Sequence, residues 1–174
     1  MKNVIIVILT LLLVSCDTKI AGTLGGGYVY EFKCSEEKLN RCLDSFAQSS
    51  KDSHIPLKWK QYNNWEQIGY GFLKGKIFYL KSDSEFIEEM YFVSVLKSSF
   101  GEKSKSLVAR TSIRAVFRMT GDYPQWLYFD DISKSDAEII EKRFQKAVLD
   151  KIIKNNCDCG AYKVISKWPP SGNG

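Results

Sequence analysis

The chain has 174 residues, a formal net charge of +5, and 44% hydrophobic and 13% aromatic residues. That apolar content excludes disorder over most of the length and is enough for one real core of single-domain size. The charge falls far short of a nucleic-acid signature, so no nucleic-acid partner is expected; it suits an anionic lipid surface or an acidic protein.

Lys2 and Asn3 open the chain, and Val4 to Val14 is apolar apart from Thr10. This run of about 11 residues is roughly 16 Å long as a helix, too short for a bilayer core of about 30 Å. Its shape is that of a secretory h-region. It ends in Leu13-Val14-Ser15-Cys16, a small residue directly before a cysteine. That tetrapeptide resembles the lipobox of bacterial lipoproteins, and the resemblance covers the leader alone. It implies a signal peptide over residues 1–15, cleavage before Cys16, and a diacylglycerol on the Cys16 thiol. The chain would then be lipid-anchored in the cell envelope, facing the periplasm. Asp17 resembles the inner-membrane retention signal of such lipoproteins and favours that membrane, with the outer membrane as the alternative. Residues 16–27 end in Gly25-Gly26-Gly27 and read as a flexible tether. No P-loop lysine follows these glycines, so they carry no phosphate-binding signal.

Tyr28 to Lys33 alternates with Tyr28, Tyr30 and Phe32 on one side, a strand with an aromatic inner face. Ser35 caps a helix over 35–47, in which Leu39, Cys42, Leu43 and Phe46 form one apolar stripe. Alternation predicts strands over 54–60 and 65–73. In the second, Gly69 and Gly71 leave one face low, for close packing or as the floor of a ligand site. Lys74-Gly75 reads as a hairpin turn into a strand at 76–81. Residues 90–96 are a further strand, with an uncertain start in the acidic run before it. Residues 98–106 are a polar loop.

Residues 107–119 form the longest strand. Ala109, Thr111, Ile113, Ala115, Phe117 and Met119 share one face; Arg110, Ser112, Arg114, Val116 and Arg118 share the other. Such a strand spans about 43 Å, beyond the usual length, so a bulge or strong coiling is expected inside it. A short strand at 125–129 precedes a second helix over 134–155, capped by Ser133 or Ser135. Its stripe is Ile140, Phe144, Val148 and Ile152. A last strand covers 161–168, and 169–174 is a polar tail. The order β-α-β-β-β-β-β-β-α-β predicts an α+β domain over residues 28–168. It is a curved antiparallel sheet with both helices packed on one face.

Cys34, Cys42, Cys157 and Cys159 remain besides Cys16. In an oxidising compartment an even set points to disulfides. Cys34 and Cys42 are about 12 Å apart along a helix, beyond bridging distance. Cys157 and Cys159 are poor partners for each other. Two long-range bridges are therefore expected between the first helix and the segment after the last one, with the individual partners open. The spacing C-x₇-C plus C-x-C is off the zinc pattern, so no metal is expected.

Catalytic signatures are sparse. His54 is the sole histidine, and no G-x-S-x-G elbow is present. Glu88-Glu89 and Asp130-Asp131 are the nearest carboxylate pairs, yet adjacent strand residues point to opposite faces. No cofactor and no enzymatic activity are expected. Arg110, Arg114 and Arg118 recur at spacings of four, and with Lys58 and Lys60 they form a candidate basic strip for an acidic partner or anionic ligand. Trp59, Trp65, Tyr70, Trp126 and Trp168 supply candidate anchors, although most belong in a core. The expectation is a tethered lipoprotein that binds another protein, as an inhibitor, an immunity protein or an assembly accessory. The alternatives are a carrier or sensor of a small hydrophobic or glycan ligand and, further off, an envelope hydrolase.

Overall fold

A computed structural model describes residues 26–50, 54–83, 85, 87–96, 108–155 and 157–166. Cys16 and the leader, nearly all of the tether, the 98–106 loop, Trp168 and the 169–174 tail lie outside these residues.

The fold is α+β, built on a six-stranded antiparallel sheet. Its strands are β1 (Val29–Phe32), β2 (Lys76–Ser82), β3 (Ile87–Leu96), β4 (Ala109–Thr120), β5 (Tyr123–Leu127) and β6 (Lys163–Ser166). They run in the order β2-β3-β4-β1-β6, with β5 also paired to β4. The long β4 explains this branching. Its first residues pair with β1, at Tyr30↔Thr111, and its last pair with β5, at Val116↔Leu127. Two short strands thus follow one another along the same long neighbour.

Helix α1 (Glu36–Ser49) starts where expected, with Ser35 Oγ accepting from the Lys38 N–H at 3.2 Å. The second helix begins as α2 (Lys134–Phe144), widens to a π turn over Gln145–Leu149, and ends as α3 (Asp150–Lys154). Ser133 caps it by accepting from the Asp136 N–H. Ile140, Phe144, Val148 and Ile152 are all buried. A strict spacing of four drifts around an α-helix, which repeats every 3.6 residues; the wider π turn absorbs that drift and keeps the stripe on the sheet. Both helices lie on one side of the sheet. Leu39, Leu43 and Phe46 of α1 join the stripe in one core with Tyr30, Phe32, Phe78, Tyr91, Val93, Ile113 and Val116.

Two bridges, one from α1 and one from the residue just before its cap, tie this region to the chain after α3. Cys34 pairs with Cys159 and Cys42 with Cys157, with Cα separations of 4.9 and 5.7 Å. This matches the expected long-range pattern and resolves the partners. The Sγ atoms of Cys42, Cys157 and Cys159 lie within 4.8 Å of one another because the bridges are adjacent.

Two predicted strands are corrected. Residues 54–60 are not a strand; the chain forms a 3-10 turn over Leu57–Tyr62, entered from Pro56. Residues 65–73 form backbone-bonded turns, such as Tyr70 N–H to Trp65 O at 2.8 Å, and then a 3-10 turn at Gly71–Leu73. The expected hairpin at Lys74-Gly75 is instead the exit from that turn, with Lys74 in the left-handed region at φ 46°. The reason is positional. The rings of this stretch pack on the second face of β3 and β4, so it lies across the sheet rather than beside it. Alternation came from dropping single aromatics into the sheet: Trp59 is buried while Leu57 is 83% exposed.

Candidate functional site on the face opposite the helices

The second face of the sheet is covered by the segment 55–73, which acts as an aromatic cap. Trp59 packs on Met90 and Phe117, and Trp65 on Phe92 and Ala115. The rings meet at close range: Trp65 stacks on Phe92 with centroids 4.1 Å apart and planes within 6°. Trp126 meets Trp65 edge-on at 4.9 Å and donates its Nε1–H to the Tyr62 carbonyl at 3.0 Å. Of the five aromatics proposed as anchors, Trp59 and Trp65 are buried, Tyr70 and Trp126 are half-buried, and Trp168 is outside the described residues.

The cap sits where it does because of a bulge in β4. Phe92 faces Ala115, but the next residue, Val93, faces Ile113. Arg114 is the extra residue between them, and the alternation of β4 changes phase there. Before it, Ala109 and Ile113 face the helices. After it, Val116 does, while Ala115 and Phe117 turn to the cap.

The same bulge divides the basic strip, which is a correction to the expected common face. Arg110 faces away from the helices, where its Nε donates to Glu31 at 3.1 Å. Lys163 approaches the other oxygen of Glu31 at 3.2 Å. These two hydrogen bonds, Lys163 first and Arg110 second, hold the Glu31 carboxyl below its ordinary range. Arg114 donates to Ser94 Oγ at 2.9 Å, and burial lowers its guanidinium from the ordinary arginine value. Arg118 is on the helix side, 3.2 Å from Asp136 of α2 and 3.8 Å from the buried Glu89. Lys58 bonds to Glu88 at 2.7 Å and lies over the Trp59 ring at 5.0 Å. Lys60 is exposed on the 3-10 turn. The structure therefore keeps Arg110 and Arg114 on one face, sends Arg118 to the other, and leaves the lysines on the cap.

The carboxylate pairs diverge as adjacency requires. Glu88 bonds to Lys58 and to the Tyr79 hydroxyl. Glu89 turns to the helix side, where Arg143 reaches it at 3.2 Å and the Tyr91 hydroxyl at 2.7 Å. Asp130 and Asp131 are exposed in a 3-10 turn over Phe129–Asp131. His54 is exposed as well.

Two features escape sequence reading. One is Glu141, fully buried on α2. It accepts from the Tyr28 N–H at 2.6 Å and the Tyr30 hydroxyl at 2.5 Å. Burial pushes its carboxyl up to about 7, against the pull of those two bonds. Gly27 passes so close that a Cβ there would collide with Glu141 and Phe129. The only signal in the sequence was its place one residue after Ile140 on the buried stripe. The other is the unequal treatment of the cap indoles: Trp126 has its acceptor, and the buried Nε1 of Trp65 has none among the described residues.

No described helix is long and apolar enough to cross a membrane. No protein-family model, curated protein or solved structure gives a significant match to the chain.

Proposed function

We propose that this chain is a membrane-tethered envelope lipoprotein that acts by binding another protein, as an inhibitor or immunity protein does. The lipobox-like leader supports the tether. The observation that carries binding is a set of exposed apolar side chains on the cap and on the cap side of β4. Leu57 is 83% exposed, Phe72 53%, Ile68 49% and Met119 51%. Large apolar and aromatic groups on a surface held rigid from behind are the usual anchors of a protein interface. The stacked rings beneath the cap provide that backing.

Two measurements test the reading separately. Mass analysis of the protein isolated from membranes should give a chain starting at Cys16 and carrying acyl mass; an unlipidated chain, or another start, removes the tether. Crosslinking in envelope preparations should yield one specific partner with the native chain. The double variant Ile68→Ser/Phe72→Ser should lose it at unchanged melting temperature. Retention of the partner by that variant excludes the cap as the interface.

A further inference from the structure

A cavity of about 340 Å³ opens between α1 and the chain that follows α3, and both halves of one disulfide line it: Cys42 from α1 and Cys157 from the opposite wall. We propose that the Cys42–Cys157 bridge is a thiol–disulfide exchange site, opened by a dithiol reductant that bonds first to Cys157, while the Cys34–Cys159 bridge stays closed. The inference depends neither on a protein partner at the cap nor on the leader.

Two bridges of the same chemistry sit side by side and differ in access. Cys34 is 3% exposed and Cys159 1%, both within the core, whereas Cys42 and Cys157 are only half-buried and face the cavity. Exchange begins when a thiolate reaches a disulfide sulfur, so access decides which bridge reacts. The Sγ atoms of Cys42, Cys157 and Cys159 lie within 4.8 Å of one another, so the two bridges share their electrostatic surroundings. Lys38 and Arg41 also line the cavity, but each is already ion-paired, with Asp158 and Glu37. Burial, not charge, separates the bridges.

The local backbone selects the sulfur that is attacked. Cys157 opens a tight turn in which the Cys159 N–H donates to the Cys157 carbonyl at 2.6 Å. The Asp158 side chain beside it is 92% exposed, and Gly160 and Ala161 are exposed as well. Such a turn can enter the groove of a dithiol oxidoreductase. Cys42 lies in the middle of α1 and would have to leave its helix to do the same. The first thiolate of the reductant bonds to the Cys157 Sγ, and Cys42 leaves as a thiolate. The second thiolate then attacks the reductant's own sulfur in this mixed disulfide, which closes the reductant's disulfide and releases Cys157. Two electrons pass to the chain, and the two protons lost by the dithiol end on Cys42 and Cys157. The buried bridge still holds the chain just before the cap of α1, while Cys42 and Phe46 are no longer linked across the cavity to the wall formed by Ile152 and Cys157.

The test is a timed reduction of the native full chain by dithiothreitol without denaturant, followed by an acid quench, alkylation and peptide mapping. Global unfolding would expose both bridges together, so only a difference in access separates their rates. Label should enter Cys42 and Cys157 about tenfold sooner than Cys34 and Cys159. Equal rates, or earlier label at Cys34 or Cys159, overturn the proposal. A thioredoxin-type dithiol protein whose second cysteine is replaced by serine should be trapped as a mixed disulfide on Cys157. Trapping on Cys42 overturns the assigned order of attack.

Discussion

Glu141 is a carboxylate inside the core with two donors and, among the described residues, no ion-pair partner. Its folded value near 7 is above the ordinary 4.5. Between those values the native state keeps a proton that the unfolded chain has released. Stability therefore falls as pH rises through that window, and above it the buried charge is a standing cost. The slope is on the order of 1 kcal/mol per pH unit while the difference is a full proton. Glu141→Gln should fold and flatten this slope, which thermal melts at pH 5.5 and 8 will show; an unchanged slope means another group carries it. Gly27→Ala tests the same contact from the other side. Its methyl group meets Glu141 and Phe129, so denaturant melts should show a loss of about 1–3 kcal/mol, as in overpacked cores. Neither effect was legible from one acidic residue in a charged helix. A carboxylate is read as exposed until its neighbours are known.

At the scale of elements, β4 decides the two faces of the sheet. The expected length called for a bulge, and the structure places it at Arg114. With Arg114 removed, Ile113, Ala115, Val116 and Phe117 alternate without interruption and keep their present sides. Deletion of Arg114 should therefore leave a folded protein with native-like circular dichroism and a cooperative melt. Deletion of Ser112 should not, because it would turn Ile113 outward and bring Arg114 toward the helices. If both deletions fold equally well, the bulge does not set the register. The caps were legible in the sequence because they are local: Ser35 and Ser133 each bond within three residues. Ser133→Ala should cost about 1 kcal/mol in urea melts. The segment 54–73 was misread for the converse reason. Its alternation is real, but only the neighbours decide whether such a segment pairs along a sheet or lies over one.

For the whole molecule, the bridges join residues 125 and 115 positions apart. They attach α1 and the residue just before its cap to the chain just beyond α3, and both helices cover one face of the sheet. Loops this long are costly to close, so each bridge should stabilise by about 2–5 kcal/mol. The paired replacement Cys34→Ser/Cys159→Ser should lower stability by that amount in denaturant melts, with the remaining bridge holding the fold. A loss below about 1 kcal/mol would show that packing, not the bridges, holds α1 in place.

The amino-acid sequence by itself determined the α+β class, the helix starts, the cysteine parity and the long range of the bridges. Each of these follows from periodicity, capping chemistry or a distance along one element, which are local quantities. The same local pattern put Arg110, Arg114 and Arg118 on one face, and there it failed. Only the tertiary structure decided which cysteine takes which partner, where β4 changes phase, and that residues 55–73 cap the sheet. It also decided that, among the described residues, buried Trp65 finds no acceptor and buried Glu141 no cation. These outcomes depend on what packs against a residue from distant parts of the chain, and a single segment holds no record of that.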